Sequence, residues 1–356
     1  MSAQALWARL AAEGLVEGER PEPERPQSPW YVRTMLGIAG WIGALFLLGF
    51  VGAAFAFVMK DASAALFAGA ACCGGALALY RSLRGQDFAD QFALALSLAG
   101  QVLMIVGLAE LMKPGGPPLY FAIAAMQAGL ALAVPNFLHR VLTAAGAALA
   151  LALGIADLSL HGLAAPLLCA ALAWVWLEPA RWARSGRLWR PIGYGLVLAL
   201  LLVETFRLFG VAQWLDLARG TRGWMQSHGP LVGRVLTAAL LVFVAVLISN
   251  REGHSTGSRT TLAAAAGAFL IGLFSLGAPG FASALLILLL GFAAGNRLLM
   301  ALGVLGLLGF ASHFYYSLHS TLLVKSGLLA ATGLVLLAAH LILRRWPSGL
   351  AEPGHA

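Results

Sequence analysis

The sequence predicts an all-α, polytopic membrane protein: a helical bundle of about twelve transmembrane helices, arranged as two parallel six-helix halves. Composition is the first reason, because 60% of the 356 residues are hydrophobic and only 11% are charged, whereas about 25% of a soluble domain is charged. Apolar runs of about 20 residues recur along the chain, which is the length that a helix needs to cross a bilayer. Short alternating strands of the kind that build outer-membrane barrels are not seen in the sequence. An internal repeat, described below, is the reason for expecting two halves.

The predicted spans divide the chain into two halves of similar length. The first half covers residues 34–190 and the second covers 191–345, followed by a short tail, 346–356. The twelve predicted spans are residues 34–59, 62–80, 91–112, 118–134, 141–160, 162–177, 191–209, 231–249, 260–276, 280–295, 298–316 and 322–343.

The basic residues predict the orientation of the chain in the membrane. Sixteen of the 23 lysines and arginines fall on one side of the predicted spans. The positive-inside rule places that side in the cytoplasm. Both termini are therefore expected in the cytoplasm. The sixteen residues are Arg9, Arg20, Arg25, Arg33, Arg81, Arg84, Arg140, Arg181, Arg184, Arg187, Arg190, Arg251, Arg259, Arg297, Arg344 and Arg345.

Two polar segments lie outside the predicted spans. Residues 1–33 contain a short amphipathic helix that ends near Gly14, followed by a linker rich in proline and glutamate. This helix lies on the membrane surface, docks on a protein partner, or is a short surface helix without a partner. The loop 211–230 carries two tryptophans and is either a flat helix at the outer interface or an ordinary connector.

An internal repeat relates the two halves. When the chain is shifted by 160 residues, 121–146 aligns with 281–306 without a gap, and nine of the 26 positions are identical. The pair Asn136 and Asn296 is more informative than the matching alanines and leucines, which composition alone would produce. Because each half contains an even number of predicted spans, the repeat predicts two halves in parallel orientation.

Charged residues near the outer ends of the spans form the first candidate site. Lys325 is 19 residues from Arg344, which is about 28 Å along a helix, so this lysine is expected near the outer edge of the hydrocarbon core. Glu204 is the deepest acid, and it can pair with Arg207 at i, i+3 spacing. These groups either line an outward-facing polar vestibule or serve as separate interfacial anchors and local ion pairs. The predicted cluster is Glu110, Asp157, Glu204, Arg207, Arg234 and Lys325.

Two amides form a second candidate site near the middle of the membrane. Gln101 and Gln127 are each expected about 15 Å from a span end. A polar side chain at that depth needs a partner. The pair therefore forms an interhelical hydrogen bond, bonds to a carbonyl, or contacts a substrate.

Motifs for metal, cofactor or nucleic-acid chemistry are missing from the sequence. H-E-x-x-H, G-x-S-x-G and Walker signatures are not found, and the histidines are scattered. The three cysteines, Cys72, Cys73 and Cys169, lie in apolar runs without a metal-ligand spacing. No metal or cofactor is predicted, and no basic stretch is long enough to follow a phosphate backbone.

Three stretches together carry a resemblance to a known family. They are SPWYVRTMLGIAGWIGALFLLGF at the first span, FADQFALALSLAGQ (88–101) at the third, and GNRLLMALGVLGLLGFASHFYYSLHSTLLVKSGLLAATG (295–333) near the end. With LWARLAAEGLVEG they resemble the bacterial family called domain of unknown function 4401, which is similar to the multi-pass family 2157. The resemblance implies a bacterial inner-membrane protein and supplies no catalytic residues.

Three functions are compatible with the sequence. A transporter or channel-like protein for a small solute requires a polar cavity between the halves, reached by Glu204 or Gln101. A scaffold that binds a membrane or periplasmic partner requires a dry, closed bundle. An enzyme acting on membrane lipids is the third hypothesis, and it needs a clustered acid, base or metal site that the sequence does not reveal.

Overall fold

The described part of the protein is entirely helical. The computed structural model describes residues 61–82, 87–210 and 224–317, together with scattered positions among the first 49 residues. These described stretches form ten α-helices and contain no β-strand, which confirms the all-α fold class. In chain order the helices are α1 Ala62–Ser82, α2 Asp87–Leu111, α3 Pro117–Ala133, α4 Phe137–Asp157, α5 Ala164–Trp176, α6 Pro179–Leu208, α7 Trp224–Arg251, α8 Arg259–Ser275, α9 Phe281–Ala293 and α10 Arg297–Ser317.

The helices coincide with predicted spans two to eleven. Six of them, α1, α2, α4, α6, α7 and α10, are long and apolar enough to cross a membrane, and α3, α5, α8 and α9 are shorter apolar helices. The chain is therefore compatible with an integral membrane protein. Most of predicted span 34–59 and all of span 322–343, with Lys325, lie outside the described residues. The count of twelve spans stays a prediction.

Short helices occupy the centre of the bundle. Helices α5 and α9 have 13 residues each, or about 20 Å at 1.5 Å per residue, less than the hydrocarbon thickness of about 30 Å. Both are packed against α6 and α7 and contribute Leu172, Leu286 and Ile287, which are completely buried. Apolar helices of this length are typical of a protein core.

Two helices begin earlier than the sequence analysis predicted. Helix α6 starts at Pro179 and continues through a kink at Ser185 (φ −147°, ψ 37°) and past Pro191. The arginines before Pro191 therefore lie on a helix, where proline at the first position costs no hydrogen bond and arginine is a good helix former. Helix α7 likewise includes residues 224–230 of the predicted outer loop, and 211–223 lie outside the described residues.

Local side-chain chemistry explains several helix starts. Asp61 precedes α1, and its Oδ1 accepts hydrogen bonds from the Ser63 hydroxyl at 2.6 Å and the Ser63 backbone N–H at 2.9 Å, which lower the pKa of the Asp61 carboxyl. Ser258 precedes α8 and accepts from the Thr261 N–H at 3.2 Å. These are N-cap interactions, which satisfy helix donors that have no intrahelical acceptor.

The N-terminal segment is described only in part. Trp7 and Arg9 are helical, Arg9 pairs with Glu13 at 3.6 Å, and Gly14 has a positive φ of 69°. A glycine in this conformation commonly ends a helix. Residues 15–30, which include the predicted linker, lie outside the described residues.

Neighbouring helices pack as four hairpins, α1 with α2, α3 with α4, α7 with α8, and α9 with α10. Glycines permit close backbone approach: a Cβ on Gly69 of α1 would lie 2.6 Å from the carbonyl oxygen of Gly100 on α2. Helix α6 contacts α4, α5 and α9 and so joins the hairpins. Such small-residue contacts are typical of membrane helix pairs.

The repeated asparagines, Asn136 and Asn296, both act as helix N-caps in the structure. Asn136 precedes α4 and accepts from the His139 N–H at 3.0 Å. Asn296 precedes α10 and accepts from the Leu299 N–H at 3.2 Å. Two asparagines separated by 160 residues therefore cap the second helix of two hairpins in the same way. The arrangement of the whole chain as two parallel halves stays a prediction.

Replacing Gly195 by alanine tests the approach of α6 to α4. A Cβ at Gly195 would lie 2.6 Å from the carbonyl oxygen of Val141, whereas a Cβ at Gly267 of α8 meets nothing within 4 Å. We expect Gly195→Ala to lower the free energy of unfolding by about 1–3 kcal/mol through overpacking, and Gly267→Ala to leave it unchanged or raise it slightly. The midpoint of thermal unfolding in detergent, followed by size-exclusion chromatography, measures both. An unchanged midpoint for Gly195→Ala would contradict the close approach.

Candidate functional site

A buried carboxylate joins α6 to α9. The Glu204 side chain on α6 is almost inaccessible to solvent, since only 3% of the residue surface is exposed. Its Oε1 accepts a hydrogen bond from the Ser283 hydroxyl of α9 at 2.6 Å, and its Oε2 lies 3.4 Å from Nη1 of Arg207. The predicted i, i+3 pair is thus present, and a serine from another helix completes it. Two charge-compensating contacts explain how a carboxylate is kept in an apolar bundle.

Two arginines and a cysteine surround this carboxylate. Arg207 also donates from Nη2 to the carbonyl of Pro230 at 3.4 Å. Arg234 of α7 donates to the carbonyl of Leu276 at 2.7 Å and lies within electrostatic range of Glu204 and Arg207. Cys169 of α5 is completely buried, with its Sγ 3.9 Å from the Ser283 hydroxyl. Residues from α5, α6, α7 and α9 therefore form this group, in which Glu204 is the acid and Arg207 and Arg234 are the two bases.

The other members of the predicted outer cluster lie elsewhere. Glu110 pairs with Lys113 at 2.6 Å in an exposed position. Asp157, the last residue of α4, lies beside Gly116, which belongs to the turn before α3. No hydrogen bond or ion pair within the described ranges joins Glu110 or Asp157 to Glu204, and Lys325 lies outside them. Of the six predicted residues, the structure brings together Glu204, Arg207 and Arg234.

A second buried polar group connects α2 with α4. The Ser97 hydroxyl lies 2.8 Å from Nε2 of His139. The Gln101 amide Nε2 lies 3.3 Å from both the Ser97 hydroxyl and the same His139 nitrogen. All three residues are buried, with 0%, 4% and 0% of Ser97, Gln101 and His139 exposed. We call these three residues the Ser97–Gln101–His139 network.

Two polar atoms beside this network have no partner. His139 Nδ1 and the hydroxyl of Tyr80 on α1 are buried and make no hydrogen bond in the described part of the chain. The rings of Tyr80 and His139 meet edge to face, with centroids 6.4 Å apart. Tyr80 also lines a cavity of about 750 Å³ that Asn136 and Arg140 border. Buried polar atoms without partners are costly, so a bound solute or water is a physically reasonable partner here.

Gln127 does not belong to this network. Its side chain packs against Gly146 of α4, and its Oε1 has no hydrogen-bond partner among the described residues. Gly146 follows His139 by seven residues, or about 10 Å along the helix. The structure therefore places Gln101 and Gln127 at different depths, and their functional roles stay predictions.

Sequence reasoning missed several of these partners. The sequence shows His139 only as one of several scattered histidines, and no motif singles out Ser97 or Ser283. Ser97 and Gln101 are four residues apart, so they share one helix face, and this spacing was a signal that could have been used. Ser283 is 79 residues from Glu204, and no local pattern connects them.

The described residues contain no group of three or more His, Cys, Asp or Glu side chains that could hold a metal ion. This finding concerns only the part of the chain that the structure describes. The Cys169 thiol contacts a serine, and Glu204 contacts serine and arginine. Both groups are therefore arranged for hydrogen bonding and charge pairing.

Comparison with known proteins identifies the family. The family described as Domain of unknown function (DUF4401) matches residues 29–346, nearly the whole chain. The chain belongs to the DUF4401 family. This confirms the resemblance seen in the first span and in the segments around Gln101 and Tyr315. No curated protein and no solved structure is matched.

Removing the Ser283 hydroxyl tests the Glu204 site. We expect Ser283→Ala to lower the free energy of unfolding by about 1–3 kcal/mol, because a buried carboxylate oxygen loses its donor. Ser275→Ala is the matched control: Ser275 is also buried, and among the described residues its hydroxyl bonds only to the carbonyl of Gly272 in its own helix. Thermal unfolding in detergent provides the measurement.

A double-mutant cycle separates this contact from general loss of packing. Glutamine at position 204 carries no charge. In the Glu204→Gln background, Ser283→Ala should therefore lower the free energy of unfolding by less than it does in the wild type. If Ser283→Ala lowers the free energy of unfolding equally in the two backgrounds, Ser283 does not stabilise the charge of Glu204.

Proposed function

We propose that this protein moves a small polar solute across a bacterial inner membrane, using the Ser97–Gln101–His139 network as a contact point inside the bundle. The observation that carries the proposal is this buried network and the unpartnered polar atoms beside it. A helix bundle that served only as a support would gain stability from apolar side chains at these positions. Polar side chains buried in membrane helices commonly mark solute or proton paths.

A polar opening leads towards the network from one end of the bundle. Tyr80 contacts the His139 ring on one side and lines the cavity of about 750 Å³ on the other. Arg140, Arg187 and Arg190 line the same cavity. Because this end is rich in arginine, the positive-inside rule supports a cytoplasmic location for it. The same rule is the basis for expecting both termini in the cytoplasm. A solute from the cytoplasm would meet Tyr80 first and then His139.

The Glu204 site supplies polar groups towards the end of the bundle opposite the arginine-rich end. Glu204 follows Arg190 by 14 residues on α6, which is about 21 Å along the helix. It is held by Ser283 and Arg207, and Arg234 belongs to the same group. The bundle therefore offers polar contacts near both ends of a route. The excess of one arginine over acids at Glu204 favours a solute that carries a negative or dipolar group.

A closed scaffold is the second candidate function. The observation that favours it is the dry core between α5, α6, α7 and α9, where Leu200, Leu241, Leu286 and Leu290 are fully buried. Such a core leaves no aqueous path between these helices. The scaffold would bind a membrane or periplasmic partner and would keep the polar networks only for packing specificity.

Thiol labelling distinguishes the two functions. Cys72, Cys73 and Cys169 are first replaced by alanine, and single cysteines are placed at Ser97 or Gln101. Val102→Cys is the lipid-facing control, because Val102 is 58% exposed on the same helix, and Leu200→Cys is the dry-core control. A membrane-impermeant thiol reagent is applied to membrane vesicles of each orientation. Because only a hydrated thiol ionises and reacts readily, we expect Ser97→Cys and Gln101→Cys to react about tenfold faster than both controls.

Each labelling result selects one function. Reaction at Ser97 and Gln101 from at least one side supports a hydrated path and the transport proposal. If neither position reacts from either side faster than Leu200→Cys, the transport proposal is wrong and the closed scaffold is favoured.

A further inference from the structure

A second cavity lies at the arginine-rich end of the bundle, away from the Ser97–Gln101–His139 network. Its volume is about 830 Å³, and it is bordered by the ends of α5, α6, α7, α9 and α10. Arg190 of α6, Arg251 of α7 and Arg297 of α10 line it, while Glu252 is the one acidic residue among the described lining residues. We call it the Asn296 cavity, because Asn296 also lines it.

The three arginines converge from three helices whose positions are fixed by other contacts. Arg251 donates from Nη1 to the carbonyl of Leu177, the residue that follows α5. The Asn296 amide donates to the Tyr194 hydroxyl of α6 at 2.8 Å, which holds the start of α10 against α6. Arg297 is the first residue of α10. The arrangement is therefore built into the fold and does not depend on one mobile surface loop.

Among the described residues, the positive charges in the Asn296 cavity exceed the negative ones. None of Arg190, Arg251 and Arg297 forms an ion pair with another residue in the described ranges. With Glu252 as the one acid, the lining carries two more positive than negative charges. The start of α10 brings the positive end of its helix dipole to the cavity, and the ends of α5, α7 and α9 bring the negative ends of theirs. Like charges gathered in this way are stabilised by an anion, and guanidinium groups match the oxygens of a phosphate.

One wall of the Asn296 cavity is aromatic and apolar. Trp176 and Trp182 have ring centroids 4.7 Å apart, and Ile248 and Leu298 line the cavity beside them. Tryptophan is enriched where membrane helices meet the headgroup layer. A cavity with arginines together with indole and aliphatic groups matches a phospholipid, whose phosphate is charged and whose acyl chains are apolar.

We propose that the Asn296 cavity binds the phosphate group of an anionic phospholipid through Arg190, Arg251 and Arg297. A free phosphate shares this chemistry and is the other possible source. The inference goes beyond the transport proposal, because no residue of the Ser97–Gln101–His139 network lines this cavity.

The 160-residue repeat supplies an internal comparison. Asn136, the repeat partner of Asn296, lines the cavity of about 750 Å³ beside Tyr80, which we call the Asn136 cavity. It shares Arg190 and Trp182 with the Asn296 cavity. Arg187 lines the Asn136 cavity and not the Asn296 cavity. It is exposed and three residues from Arg190 on the same helix. Arg187→Gln therefore removes the same charge nearby and serves as the matched control.

Lipid binding to the full-length protein tests the proposal. The purified, delipidated protein is mixed in detergent with dioleoyl phosphatidylglycerol, dioleoyl phosphatidylcholine or inorganic phosphate. Native mass spectrometry counts the retained lipid, and the shift in thermal unfolding midpoint reports binding of each probe. We expect phosphatidylglycerol to bind in preference to phosphatidylcholine. Arg190→Gln and Arg297→Gln should each weaken its binding about tenfold through loss of a charge-assisted contact.

Control variants make the result specific to this cavity. Arg187→Gln should bind phosphatidylglycerol like the wild type. Arg297→Lys should retain part of the affinity, because it keeps the charge and loses the planar fork. Arg190 and Arg297 are both exposed, so the glutamine variants are expected to fold, and their unfolding midpoints without lipid verify this.

The outcomes separate the sources of the phosphate and can overturn the proposal. A midpoint shift with inorganic phosphate that Arg297→Gln abolishes would assign the site to free phosphate. Selective retention of phosphatidylglycerol would assign it to a lipid headgroup. If Arg190→Gln and Arg297→Gln bind both probes like the wild type, or if Arg187→Gln weakens binding equally, the Asn296 cavity is not a phosphate site. These results do not depend on thiol labelling at Gln101, so the two proposals can fail separately.

Discussion

The hydrogen bond between Ser283 and Glu204 is the interaction on which the centre of the bundle depends. A carboxylate removed from water must be compensated by charge and donors, or the helix that carries it cannot stay buried. The 2.6 Å contact to Ser283 and the pair with Arg207 supply that compensation. The Ser283 contact joins α6 to α9, whose fully buried Leu200 and Leu286 belong to one core.

Polar groups are concentrated at two levels of the bundle, and the apolar core lies between them. Glu204, Arg207 and Arg234 gather at one end, whereas His139, Tyr80 and the arginine-lined cavities lie towards the other. Because the buried side chains between these levels are apolar, each polar group must find its partner within its own level. The Ser97–Gln101–His139 network joins α2 to α4 beside Tyr80 of α1, which lines the cavity of about 750 Å³.

The repeated asparagine caps connect the fold with the cavities. Asn136 and Asn296 each end a hairpin turn and start a helix, and each helix start borders a cavity with arginines. Tyr194 of α6 contacts the turn at Asn296 by a hydrogen bond and Phe137 after Asn136 by an edge-to-face ring contact at 6.1 Å. One residue of α6 thus touches both repeated turns. Since α6 also provides Arg190 to both cavities, a change in its kink at Ser185 would affect both sites together.

The sequence by itself determined the helical class, the positions of the ten described helices to within a few residues for most of them, the asymmetry of the arginines and the Glu204–Arg207 pair. These features depend on composition, run length or i, i+3 spacing, which are local. Tertiary structure decided the partners: Ser283 for Glu204, His139 for Gln101, and separate depths for Gln101 and Gln127. The physical reason is that membrane helices are apolar on nearly all faces, so their sequence pattern does not indicate which side meets which neighbour. Only the packing of glycines, caps and buried polar groups sets the rotation and depth of each helix, and with them the sites.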